Sequence, residues 1–101
     1  MMNPRSLIPF SVVGLMLLSC AITLYMPTEN DAIKYNTSLE SLHQGRDLYL
    51  NSCKRCHPLH KPSAYTTERW TRNLNKMQKR AKIDDTQKEL IFHYLETNAK
   101  Q

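Results

Sequence analysis

The sequence predicts an all-α fold, and three observations carry that prediction. Capping boxes stand at Thr37-Ser38-Leu39-Glu40 and at Asp84-Asp85-Thr86-Gln87, each just ahead of a run with apolar residues at helical spacing. Between them, Trp70, Leu74, Met77 and Ala81 fall within an arc of about 60° at 100° per residue, the mark of a third amphipathic helix. No segment alternates polar and apolar residues as a half-buried strand does.

Taken in order, Met1 to Ser6 is short and polar with one cation, Arg5, and Leu7 to Leu18 follows as a mostly apolar stretch. That is the layout of an export signal, with the Arg5 end cytoplasmic and the rest of the chain outside. Leu17-Leu18-Ser19-Cys20 resembles a bacterial lipobox, which makes residues 1–20 a signal peptide and Cys20 the lipidated residue. The rival is an uncleaved anchor over residues 1–26, because the apolar run continues to Met26 and reaches about the 20 residues that span a bilayer. Cleavage and release is the third possibility. Residues 21–36, polar from Pro27 and without helical or strand period, read as a linker. A flexible chain from Cys20 to Thr37 has an r.m.s. reach of roughly 20 to 25 Å.

Residues 37–101 form the predicted domain. The first helix starts from the Thr37 cap and runs to about Ser52, with Leu39, Leu42, Gly45, Tyr49 and Leu50 on one arc. Pro58 and Pro62 forbid a continuous helix beyond His57, so a loop extends to Tyr65. The second helix opens at Thr66 or Thr67 and ends near Ala81, and the third places Leu90, Ile91, Tyr94 and Leu95 on one face. A domain of this size commonly needs a disulfide, metal or cofactor to stabilise its core. Two Gly and two Phe in 101 residues argue against a Gly-rich phosphate loop or an aromatic nucleic-acid platform.

Cys53-Lys54-Arg55-Cys56-His57 is C-x-x-C-H, the attachment motif for c-type haem. Two cysteines three apart lie on neighbouring sides of one helical turn, so each thiol can form a thioether with one vinyl group, and the next residue offers an imidazole to iron. A thioredoxin-like dithiol needs a βαβ context that a helical chain lacks. Zinc held by Cys53, Cys56, His57 and His60 crowds four ligands into eight residues, where tetrahedral closure is awkward. A bare Cys53–Cys56 disulfide closes a tiny loop and stabilises little.

With Gly45 and Tyr49 the motif reads G-x3-[FY]-x3-C-x-x-C-H, and Leu90 to Leu95 (LIFHYL) is a helix ending in Tyr-Leu; on these residues the chain resembles the small class I cytochromes c. The resemblance covers residues 45–95. It implies an all-α domain around one covalent haem c, with Gly45 permitting close crossing of the first and last helices and with Tyr49 and Tyr94 packed there. It also implies His57 as an iron ligand, oriented by the carbonyl of a following proline, Pro58 or Pro62, with Pro62 preferred.

Met77 is the candidate for the other axial position. It lies 20 residues beyond His57 on the apolar arc of Trp70 and Leu74. The alternative is an ordinary core methionine. The family usually carries this Met in a loop before the last helix, whereas Met77 sits within a helix, as in short domains with a W-x(6)-M arrangement. His60 is too close to His57 to reach the opposite haem face, and His43 and His93 read as surface residues.

Arg69, Arg72, Lys76, Lys79 and Arg80 fall within about 100° of the second helix, on the side away from Met77, and contribute to the net charge of +5. They read as a solvated face, or as a docking surface for an acidic redox partner or anionic lipid; Arg69 or Arg72 can also pair with a haem propionate. The expected function is a membrane-attached, exported monohaem electron carrier facing the periplasm or cell exterior. It passes single electrons between redox proteins, with no small-molecule substrate, no nucleic acid and no enzymatic turnover. The competing expectations are an open-site haem protein, such as a gas sensor or peroxidase-like site, and a haem-stabilised subunit of a respiratory complex.

Overall fold

The computed structural model describes residues 23–53 and 58–101. The candidate signal or anchor segment, apart from its last residues, therefore lies outside the described residues, as do Cys20, Cys56 and His57. Four α-helices follow in order: α1 (Glu29–Lys34), α2 (Leu39–Cys53), α3 (Thr67–Ala81) and α4 (Asp85–Glu96), with a short 3₁₀ turn at Pro62–Ala64 before α3. Among the described residues there is no strand, and one isolated bridge pairs Thr66 with Lys100.

The helices begin where side-chain oxygens meet otherwise unpaired N–H groups. The Thr66 side chain accepts from Arg69 N–H at the start of α3. At α4 the reciprocal box is complete: Asp84 accepts from Gln87 N–H at 2.7 Å, and Gln87 accepts from Asp84 N–H at 2.9 Å. At α2 the cap is Ser38, whose hydroxyl accepts from Ser41 N–H at 3.0 Å, instead of Thr37. The Thr37 N–H is engaged elsewhere, donating to Ala32 at the end of the preceding helix.

That preceding helix is a departure from the linker reading. Residues 23–36 form a folded strap. Thr28 and Asp31 cap α1 reciprocally, Leu24, Pro27 and Ala32 are buried, and Asn36 takes the left-handed conformation (φ 53°) that lets the chain turn into α2. The strap is held by two residues of the helices it crosses and by one bond of its own. Tyr94 Oη donates to the Tyr25 carbonyl at 2.7 Å, Arg46 donates to the carbonyls of Tyr25 and Leu24, and Tyr25 Oη donates to Asp31 at 2.7 Å. A six-residue helix is too short to show a period, which is why the polar composition read as a tether.

α2 and α4 make the most extensive contact, and Gly45 sits at their crossing. A Cβ there would run into the Leu90 carbonyl oxygen, lie 2.8 Å from its carbon and come within 3.0 Å of Tyr94 Cβ. Leu42, Ile91, Tyr94 and Leu95 fill the space around this crossing with essentially no exposure. α3 packs on α4 through Trp70 and Leu74, and Lys100 N–H donates to the Tyr65 carbonyl, pinning the C-terminus to the loop before α3.

Candidate functional site

α2 ends at Cys53, the first residue of the C-x-x-C-H motif, and Cys53 is buried at the last helical turn. Across from it, α3 carries Met77. Cys53 and Met77 line one cavity of about 200 Å³, together with Tyr49, His60, Tyr65, Trp70, Asn73 and Leu74. Its floor is aromatic: the Trp70 ring meets Tyr49 edge-on at 5.9 Å and Tyr65 at 5.1 Å, and the His60 ring meets Tyr65 at 5.3 Å. A second recess of about 370 Å³ shares Asn73 and Met77 and is bounded by Lys76 and Arg80.

The loop that follows the motif is fixed by two aromatic donors from different helices. Tyr49 Oη donates to the His60 carbonyl at 2.7 Å, and Trp70 Nε1 donates to the Pro62 carbonyl at 2.8 Å. Pro62 is buried. The carbonyl expected to orient His57 thus already accepts from Trp70, and a second donor would have to use its other lone pair.

A more voluminous recess, about 480 Å³, lies on the outer seam of α3 and α4 among Thr71, Leu74, Asn75, Asp85, Lys88, Glu89 and Phe92. Size does not make it the site. It offers no thiol or thioether, and its charged residues are partly committed: Lys88 donates to Asn75, and Asp85 accepts from Gln78. His93 is likewise placed outside the Cys53–Met77 cavity, on α4 between Glu96 at 3.0 Å and Glu89 at 3.6 Å. His43, on α2, does not line that cavity either.

The basic residues of α3 are all exposed, and the Arg69 guanidinium stacks 5.0 Å over the Tyr65 ring. Their separation from Met77 is incomplete. Lys76 adjoins it in the chain and Arg80 stands at i+3, so both border the recess that Met77 lines.

Asn73 and Tyr65 are the lining residues that the sequence reading passes over. Asn73 precedes Met77 by one helical turn, so helical spacing alone brings it to the same face. Tyr65 follows the loop and carries no periodic signal.

Burial raises both core phenols. Tyr94 is pushed up to about 12, and Tyr49 is held well above the ordinary range. The unfolded chain then ionises at about pH 10 while the folded chain still holds its protons. The stability carried by neutral Tyr94 is complete below pH 10.0 and falls as the pH rises toward about 12. Far-UV circular dichroism should show alkaline unfolding in this window, and Tyr94→Phe should shallow the pH slope.

Compared with known proteins, the chain matches no family model, no curated protein and no solved structure.

Proposed function

We propose that the chain is a membrane-tethered monohaem c-type cytochrome that passes single electrons between redox proteins outside the cytoplasm. The observation that carries this reading is the cavity bounded by Cys53 at the end of α2 and Met77 on α3. The motif's first thiol is buried, a thioether faces the same space, and the walls between them are aromatic and aliphatic. This donor set fits a covalently held haem better than a hydrated metal ion.

Cys53 and Cys56 would hold the group by thioether bonds, and His57 and Met77 would offer nitrogen and sulfur donors to its iron. When bound, the haem supplies a one-electron Fe(III)/Fe(II) couple. The chain's part is to set that couple and shield it. A thioether donor would favour the ferrous state, and the rings of Tyr49, Tyr65 and Trp70 give the cavity a largely apolar wall. Lys76 and Arg80 at the recess offer counter-charges for acidic groups at its edge. They stand beside Arg69, whose guanidinium lies over the cavity-lining Tyr65, as cations close to the site.

The strap bears on which of the two membrane attachments the chain would use. Leu24 and Tyr25 belong to the folded domain, so the apolar stretch before it runs from Leu7 to at most Thr23, 17 residues and the short limit for a spanning helix. This favours lipidation at Cys20 over an uncleaved anchor. Loss of metabolic lipid label in Cys20→Ser distinguishes them.

The optical spectrum of the purified full chain tests the electron-carrier reading. The expected result is a low-spin haem, reversibly reduced, that does not bind carbon monoxide. A high-spin spectrum with ready carbon monoxide binding would replace this reading with the open-site one.

A further inference from the structure

The strap carries an exposed apolar surface that the site does not use. Among the described residues, the large apolar side chains left exposed are Met26, 53% exposed, and Ile33, 76% exposed. Both lie within residues 23–36, while Leu24 and Ala32 in the same segment are buried at 2% and 5%. The segment is therefore held rigidly by its inner residues while two apolar side chains face outward. Its charges, Glu29, Asp31 and Lys34, nearly cancel, so nothing in it selects an anionic or a cationic protein partner.

What lies upstream identifies the occupant. Residues 7–22 are almost wholly apolar, and Cys20 stands four residues before the buried Leu24. Four residues reach at most about 14 Å. A chain attached to lipid at Cys20 thus has its strap within reach of the headgroup layer.

Resting on the tethering proposed above, we infer that residues 23–36 are a membrane-contacting surface, with Met26 and Ile33 inserted at the phospholipid interface and the domain held in one orientation. Tethering makes the contact intramolecular, so two side chains suffice where they would not bind a membrane unaided. The Cys53–Met77 cavity is lined by none of the strap residues, so contact of the strap with lipid does not use up the walls of that cavity.

The test uses the full chain in phosphatidylethanolamine and phosphatidylglycerol vesicles doped with a phospholipid bearing a diazirine near its glycerol backbone. After illumination, cross-linked peptides are mapped by mass spectrometry and vesicle attachment is measured by flotation. Cross-links among the described residues should concentrate on 23–36. In Met26→Gln/Ile33→Gln they should fall at least several-fold while flotation is unchanged. Both positions are exposed, so the substitutions leave the fold intact. Cross-links concentrated on α3, or a strap yield unaltered in the double variant, would overturn the assigned surface while leaving the tether standing. A full chain that does not float would remove the tethering reading itself.

Discussion

Replacing Gly45 with Val is expected to abolish accumulation of the folded domain, and Gly45→Ala to lower its melting temperature by about 10 to 20 °C. Alanine would ordinarily stabilise a helix by about 1 kcal/mol relative to glycine. Here its Cβ falls on the backbone carbonyl of Leu90, which has no rotamer to escape through. α2 and α4 must separate, and the close packing of Ile91, Tyr94 and Tyr49 is lost with the crossing. Overpacking of this kind costs about 1 to 3 kcal/mol for small insertions, and each kcal/mol moves the midpoint of a domain this size by about 4 to 8 °C. A branched Cβ adds two methyls to the same clash. Gln44→Ala, one residue away on the exposed side of α2, is the control and should shift stability by less than about 0.5 kcal/mol. Thermal melts that leave Gly45→Ala as stable as the parent would show that the helices do not cross this closely.

Met77→Ala is expected to convert a closed, low-spin haem into one that binds carbon monoxide and cyanide, with a marked fall in reduction potential. The thioether is the one soft donor on the α3 wall of the cavity, and alanine leaves nothing to replace it. Met77 is only half-buried, so the lost packing should lie near the low end of the 2 to 5 kcal/mol range for methionine truncation. Circular dichroism should therefore remain helical while the optical spectrum changes. Met77→His separates ligation from packing: it should restore a six-coordinate, low-spin spectrum at a lower potential than the parent. If Met77→Ala leaves the spectrum and the ligand affinity unchanged, Met77 is a core residue and the sixth ligand lies elsewhere.

The parts of this fold legible in the sequence are those set by local chemistry. Thr66 and Asp84 cap α3 and α4 where their side chains predict, and Ile91, Tyr94 and Leu95 occupy the buried face that helical spacing assigns. Gly45 as a crossing point is what the resemblance to the small class I cytochromes c implies, and the crossing with α4 is present. What escapes is tertiary. Ser38 caps α2 because Thr37 is drawn back to Ala32, a competition between two adjacent hydroxyl residues that composition cannot decide. α1 is invisible to periodicity, and Leu24 and Tyr25 read as the tail of an apolar run until Arg46 and Tyr94 are seen to hold their carbonyls. The donors Tyr49 and Trp70 were readable as core aromatics; their hydrogen bonds to the loop carbonyls of His60 and Pro62 were not, because those depend on where three separate segments meet.

The proposed chemistry depends on a covalent bond between haem and the two cysteines of the motif. Intact mass measurement of the full chain after acid and acetone extraction tests it most directly. The expected spectrum shows the polypeptide carrying one additional haem mass, lost when both Cys53 and Cys56 are replaced by Ser. A polypeptide that emerges from extraction without added mass, with all haem in the organic phase or none present, would contradict it.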